Sequence, residues 1–417
     1  MSDLLDSLEA RDPAAREHAL LAALPALIAQ ARTAPGWASI LRETKASDIT
    51  SRAALAQLPV TRKSDLKDLQ KAALPFGGLN STPEAALARI FISPGPIFDP
   101  QGRGEDWWRF ARPLYALGLR RGDLIQNCFS YHFTPAGLMA EGGAMKLGCP
   151  VIPAGIGQTE MQVQAMHLLR PQAYVGTPSF LKIIIEKAQE LGSDMSSVTK
   201  ALVSAEALPP SLRSWLQEHG VRDVLQTYGS ADIGNIAYET LHDGALCPGM
   251  VLDETLLLEI VRPGTGEPVA DGEVGEIVIT AFNPDYPLIR FATGDLSAVL
   301  PGTSPCGRTN TRIKGWMGRA DQTTKIRGMF VHPAQVADIL RRHPAVSKAR
   351  LIVTGEMAND VLTLHCEVAD PLSMATQAAQ IVESIRDVTK LRGEVRLVAL
   401  GALPNDGKVI DDARSYA

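Results

Sequence analysis

A chain of 417 residues is long for a single hydrophobic core and sets an expectation of two or more domains. With 45% hydrophobic residues, 21% charged residues and a net charge of -5, it has a globular composition and no basic excess that would draw nucleic acid. Its most apolar early stretch, Ala19 to Ala31, is interrupted by Pro25 and is shorter than the roughly 20 residues that cross a bilayer, so neither a nucleic acid nor a membrane is the expected partner.

The acidic start, Met1-Ser2-Asp3-Leu4-Leu5-Asp6, lacks the basic region of a secretory signal. Five cysteines (Cys128, Cys149, Cys247, Cys306, Cys366) are odd in number and widely spread, without a CxxC pair. That pattern speaks for a reducing compartment, and the cytoplasm is the expected location. Helical spacing dominates the first seventy residues, where Leu20, Leu21, Leu24, Leu27 and Ile28 recur at three and four, and Pro25 divides the stretch into a predicted helix pair. Between Arg89 and Gly229, short apolar runs alternate with helical patterns: Leu124 to Cys128, Pro150 to Pro153, Ala173 to Gly176 and Ala201 to Ser204. Such alternation predicts a parallel α/β sheet with helices on its faces. Leu256 to Val261 and Glu276 to Thr280 flank Pro263-Gly264-Thr265-Gly266 and read as a β-hairpin. After Gly318 come a predicted helix at 333–343, strands at 349–353 and 361–368, a helix near 373–390 and a last strand at 394–400. The expected architecture is α/β: a large multi-layer N-terminal domain, 1–320, with mixed sheets and helices, and a small mobile α+β domain, 321–417.

Five short segments then stand in a fixed order. They are Ser204-Ala205-Glu206-Ala207-Leu208, Tyr228-Gly229-Ser230-Ala231-Asp232, Thr293-Gly294-Asp295, Gly318-Arg319-Ala320-Asp321 and Gly407-Lys408. Together they resemble the signature motifs of the adenylate-forming, AMP-binding superfamily. The phenylacetate-CoA ligase branch is the nearest match, because Pro287-Leu288-Ile289-Arg290-Phe291 precedes Thr293 and Ile326-Arg327-Gly328-Met329-Phe330-Val331 follows Asp321. The resemblance implies an ATP-dependent acid-CoA ligase that forms an acyl-adenylate and then passes the acyl group to coenzyme A. It also implies roles. Ser204, Ala205 and Glu206 line the adenine; Tyr228 stacks on it, with Gly229 and Ser230 beside it; Asp295 binds the ribose; Arg327 and Gly328 complete the nucleotide site. Asp232, in place of the more usual glutamate, supports Mg2+ on the phosphates. Arg319 contacts the nucleotide, Asp321 is a hinge and Lys408 is the catalytic lysine. The chemistry suits these residue types: a purine offers a flat π face, polyphosphate needs a hard cation on oxygen ligands, and an ammonium stabilises charge as two anions approach.

Two stretches depart from the family pattern. The phosphate loop, SSGTTGKP in relatives, aligns with Ser93-Pro94-Gly95-Pro96-Ile97-Phe98-Asp99-Pro100, where three prolines remove amide donors and Asp99 adds a negative charge. A weaker grip on pyrophosphate is the expectation. Two alternative readings follow: a nucleotide or acyl-CoA binding homologue with little adenylation, and an adenylating enzyme that delivers to a carrier protein or another acceptor. A zinc cluster present in some relatives is reduced to Cys247, Cys306 and His242, with Thr240 and Ser304 where cysteine would stand, one ligand short of a structural site.

Tyr131, His132 and Phe133, in Ser130-Tyr131-His132-Phe133-Thr134-Pro135-Ala136-Gly137, resemble the YGLFTGG stretch of the family's acyl pocket, and Ile233-Gly234 close its other side. The acid implied is aromatic or small and apolar, with His132 in place of a glycine. A homodimer is left open.

Overall fold

A computed structural model of the chain describes residues 4–93, 96–320, 322, 324–327, 329–331, 333–355, 359–374, 377–404 and 408–414. The chain divides into two compact units, residues 1–205 with 215–317, and residues 206–214 with 318–417.

The first unit is built on a nine-stranded sheet. Its strands run, edge to edge, Val299–Leu300, Arg312–Ile313, Met250–Leu252, Gly234–Tyr238, Asp223–Ser230, Lys200–Val203, Ala173–Gly176, Ile125–Asn127 and Val151–Pro153. From Asp223–Ser230 to the last edge the pairing is parallel, and it becomes antiparallel at Gly234–Tyr238. The alternation read from the sequence is thus realised as a parallel half-sheet whose crossovers include the helices Ala136–Leu147, Thr159–Leu169 and Pro178–Leu191. Ala173–Gly176 is buried along its whole length, as a strand covered on both faces must be. Pro178–Leu191 begins at Thr177, whose side chain accepts from the Phe180 amide, and ends at Gly192 with φ +63°, a left-handed stop that glycine adopts at no steric cost.

A second, four-stranded sheet runs Thr61–Arg62, Leu288–Ser297, Gly275–Ala281, Leu256–Val261. The predicted hairpin is present, with Leu256 opposite Ala281. Thr61–Arg62 joins the far side in parallel, Thr61 opposite Phe291 and Arg62 opposite Ala292. The motif residues 293–295 lie inside the strand Leu288–Ser297. Val278 pairs with Ala292 and Glu276 with Leu296, so this strand carries extra residues across the interval and bulges there.

One further expectation is corrected. Ala19 to Ala31 is no helix pair: Pro13–Ala31 is a single helix with Pro25 inside it. A proline in a helix costs about 3 kcal/mol through a lost hydrogen bond and a ring clash. Leu24, Leu27, Ile28 and Ala31 are all buried in one cluster with Trp37, Phe76 and Tyr286. At about 1.5–3 kcal/mol for each large aliphatic side chain, that burial outweighs the proline.

In the second unit the four-stranded sheet runs Glu394–Ala399, Val361–Val368, Val346–Thr354, Ile410–Asp412, and the helices Pro333–Arg342 and Ala378–Thr389 accompany it. Val336, Ile339, Leu351, Leu364, Ile381 and Ile385 form its core. Glu394–Ala399 is therefore not the last strand. Ile410–Asp412 follows and pairs in parallel with Val346–Thr354, Leu351 opposite Ile410. At three residues it is too short to show a period of its own, and its ladder partner defines it. Among the described residues no helix is long and apolar enough to cross a membrane.

Candidate active site

The bulge at 293–295 aims a carboxylate out of its ladder, and two aromatic side chains take hold of it. Tyr228 donates its hydroxyl to Asp295 Oδ2 at 2.8 Å and Trp316 donates its indole N–H to Asp295 Oδ1 at 3.0 Å. The Asp295 amide donates to Thr293 Oγ1 at 3.1 Å, which fixes the backbone of the bulge. A carboxylate has about four acceptor positions. Two of these positions receive the Tyr228 and Trp316 donors. Tyr228 and Asp295, 67 residues apart in sequence, are thus brought into direct contact.

Gly229 and Ser230 continue the Tyr228 strand, and both are forced by their surroundings. A Cβ on Gly229 would lie 2.4 Å from the Gly234 carbonyl oxygen. Ser230 Oγ accepts from the Ile233 amide at 3.3 Å and shapes the turn that carries Asp232. Gly234 has φ +92°, and a Cβ there would meet the Trp108 carbonyl oxygen at 2.7 Å, so no other residue fits beside Trp108 without a shift. Ile233 is buried, and its carbonyl accepts from Arg109.

Asp232 is buried and forms an ion pair with Lys63. Asp99, from the strand Ile97–Gln101, is buried beside them and accepts from the Ser93 hydroxyl across a small hairpin. Burial, reinforced by the neighbouring charge of Asp232, pushes the Asp99 carboxyl up to about 8 against the pull of Lys63 and Ser93. Burial opposes the charge of Lys63, but Asp232, Asp99 and Asp295 together hold its pKa above the ordinary lysine value. Asp232 Oδ1 is buried and receives no hydrogen bond from the described residues. An open, buried carboxylate oxygen is a fitting ligand for a hard divalent cation.

Near the other end of the parallel half-sheet, Tyr131 is half-buried with its hydroxyl between two polar partners: it accepts from Asn127 Nδ2 at 2.8 Å and donates to Glu141 Oε2 at 2.8 Å. Burial and Glu141 raise this phenol far above its ordinary value. His132 is exposed. Phe133 has φ +59° and a ring 75% exposed, so in this conformation it does not line an enclosed pocket. Ser204 donates its hydroxyl to the Thr227 carbonyl at 2.7 Å, tying the end of one central strand to the next. Ala205 follows with φ +68°, and Glu206 begins the short segment that belongs to the second unit.

Of the residues expected in the C-terminal part, Arg319 is half-buried. Arg327 is exposed with φ +48°, and its amide and guanidinium both bond to Asp360, at 3.2 and 2.8 Å. Lys408 is exposed and lies 3.4 Å from Asp411, while the Val409 amide after it donates to Gln322 Oε1 at 2.8 Å. Asp321 and Gly328 lie outside the described residues, as do Pro94 and Gly95.

Comparison with known proteins gives this arrangement a context. The model of the AMP-binding enzyme family matches residues 110–283. The chain is 31% identical to the phenylacetate-coenzyme A ligase of Aromatoleum evansii, over 77% of this chain and 74% of that one. The chain belongs to the phenylacetate-coenzyme A ligase family. The ligases of Thermus thermophilus (31% identity, 82% of this chain and 79% of the relative) and Escherichia coli (30%, 85% and 84%) agree. In fold it is similar to a 2-hydroxyisobutyryl-CoA ligase solved with 2-HIB-AMP and CoA, with a TM-score of 0.81 and 24% identity over 98% of this chain and 92% of that one.

In this ligase family chain, sequence reasoning missed Trp316, which stands two residues before the Gly318 motif, and it missed Lys63. No motif surrounds it. It reaches the site because Thr61–Arg62 pairs in parallel with the strand that carries Asp295, a contact between segments some 230 residues apart for which no local pattern exists. The residues of the reduced zinc cluster make other contacts. Cys306 Sγ is 3.1 Å from Ser304 Oγ and 3.6 Å from Arg308 Nη1. Burial raises this thiol, but the Ser304 and Thr240 hydroxyls and Arg308 outweigh it and bring it to about 7. His242 is half-exposed against Asp243, and among the described residues no group of three or more His, Cys, Asp or Glu could hold a metal ion.

Proposed function

We propose that this family member is an AMP-forming acid-CoA ligase for an aromatic or small apolar carboxylic acid, using ATP, Mg2+ and coenzyme A in a reducing compartment, the cytoplasm. The observation that carries the reading is the Asp295 carboxylate, locked by Tyr228 and Trp316 within electrostatic reach of the half-buried Lys63.

In this reading Asp295 accepts both ribose hydroxyls, and the Tyr228 ring, fixed by its own hydroxyl, presents a face to adenine. Ser204, Ala205, Glu206, Gly229 and Ser230 line the base, and Arg319, Arg327 and Gly328 complete the nucleotide site. Asp232 holds the magnesium, which when bound neutralises polyphosphate charge. Lys63, fixed by Asp232, adds a positive charge on the side where the acyl carboxylate meets the α-phosphorus. Lys408 supplies a second at the same step. The carboxylate oxygen attacks phosphorus and pyrophosphate leaves. Turning about Asp321 withdraws Lys408, and the thiol then attacks the acyl carbon with AMP as leaving group. Tyr131, His132, Phe133, Ile233 and Gly234 bound the acid. The polar fixation of Tyr131 and the outward ring of Phe133 fit a pocket that Phe133 completes when an acid is present.

Identity to free-thiol ligases across most of the chain favours coenzyme A over a carrier protein as acceptor. A panel of aromatic and short aliphatic acids, assayed for acid-dependent AMP formation, tests the reaction. Lys408→Ala separates its halves. It should abolish pyrophosphate release and leave thioester formation from presynthesised acyl-adenylate largely intact; equal loss of both would remove the role given to Lys408.

A further inference from the structure

The turn that carries Asp232 and Ile233 is held by a loop far upstream in the sequence. It joins the antiparallel strands Asp223–Ser230 and Gly234–Tyr238, and a turn leaves carbonyls that the ladder does not serve. Trp108 and Arg109 supply the donors. The Trp108 indole N–H donates to the Ala231 carbonyl at 3.3 Å, and the Arg109 guanidinium donates to the Ile233 carbonyl and, at 3.2 Å, to that of Asn235. The Asn235 amide returns a bond to the Trp108 carbonyl at 2.9 Å, the same oxygen that a Cβ on Gly234 would meet. Arg109 also pairs with the fully buried Asp253 at 3.3 Å, which fixes the direction of the guanidinium. The loop itself is strained. Arg109 has φ +64° and Asp106 φ +45°, a left-handed backbone that persists in ordinary residues only where surrounding contacts over-determine it. Those contacts are present: Asp106 accepts the Arg109 amide on its carbonyl at 2.7 Å and the Phe110 and Ala111 amides on its carboxylate at 2.7 and 2.9 Å, and Trp107 donates to Asp285 at 2.7 Å.

We infer that Arg109, assisted by Trp108, is a positioning residue for acid selectivity, acting through the backbone of 231–235 to set where the Ile233–Gly234 wall of the acyl pocket stands. The inference rests on the ligase reading, in which Ile233 and Gly234 bound the acid. A guanidinium can hold two carbonyls at once because its donors form a rigid fork, which a lysine ammonium does not reproduce. The nucleotide side has other anchors. Asp232, on the same turn, is held by Lys63, and Asp295 stands on another strand, held by Tyr228 and Trp316. Loosening the backbone at 231–235 therefore moves the acid wall first and leaves the contacts to the nucleotide in place.

The experiment compares Arg109→Met, Arg109→Lys and Trp108→Phe with the wild type in the full chain, by acid-dependent AMP formation across aromatic and short aliphatic acids and by hydrogen–deuterium exchange without ligand. Arg109→Met is expected to raise KM for the preferred acid by about tenfold or more and to narrow the ratio of kcat/KM between preferred and poor acids, with KM for ATP within about twofold of the wild type. Exchange should quicken in 229–236 and stay unchanged in 288–297, which reports a folded first unit. Arg109→Lys should recover part of the acid KM, and Trp108→Phe, which keeps a ring and deletes one donor, should show a smaller shift of the same kind. KM values for ATP and acid that rise together would make Arg109 a structural residue only, and unchanged exchange at 229–236 in all three variants would remove the strut. Should Arg109→Met fail to fold, the two milder variants decide by the same readouts. A wild type that forms AMP from no acid of the panel overturns the ligase reading and the acid role with it, while exchange still decides whether the strut exists.

Discussion

The two halves of the proposed site, a sugar side at Asp295 and a phosphate side at Asp232, are built differently. Around Asp295, the hydrogen bonds from Tyr228 and Trp316 come from a motif and its near neighbour and are neutral donors on one carboxylate. Around Asp232, the family motif has been rewritten: a lysine and a second aspartate crowd the acidic residue, and the loop that would donate amides carries prolines. The first region keeps its chemistry by keeping its residues. The second keeps a balance of charge with different residues, because electrostatic requirements can be met by any group that reaches the spot while a hydrogen-bonded grip needs particular atoms in particular directions.

Three substitutions probe that contrast. The largest effect is expected on the sugar side. Asp295→Ala removes the acceptor that Tyr228 and Trp316 share, at roughly 3–4 kcal/mol, so kcat/KM for ATP should fall by about 10²–10³. Retention of most activity would mean the ribose is held elsewhere. On the phosphate side, Lys63→Met keeps the aliphatic stem but strands two buried carboxylates. Because the lysine is about one-third exposed, about 2–3 kcal/mol of stability is the expected loss, read from the midpoint of urea unfolding. An unchanged midpoint would show that the carboxylates need no partner and would break the charge-balance account. The smallest change comes from Tyr228→Phe, which deletes one donor to Asp295 and keeps the ring. About 1 kcal/mol is at stake, and KM for ATP should rise several-fold with kcat nearly constant. A fall in kcat instead would give the hydroxyl a part in the chemical step.

Much of the architecture was legible along the chain. The parallel strands from Leu124 to Ser204, the hairpin at 256–281 and the C-terminal helices and long strands announce themselves through periodicity and through glycine and proline punctuation. The errors share a cause. Pro25 was read as a break because a local rule was applied where burial of Leu24, Leu27 and Ile28 decides the outcome. The bulge at 293–295 went unread because a bulge is visible only against the partner strand. Ile410–Asp412 has no pattern of its own beyond its ladder to Val346–Thr354.

By itself, the sequence determined the family, the parallel α/β sheet and the hairpin, since each is written in residues close enough along the chain to be read together. Only the tertiary structure decided that Lys63 meets Asp232, 169 residues away, and that Asp99 joins them. Charge acts through space and in a low dielectric over several ångströms, so the partners of a buried ion are chosen by how strands are stacked and paired, and neighbours along the chain carry no trace of that choice.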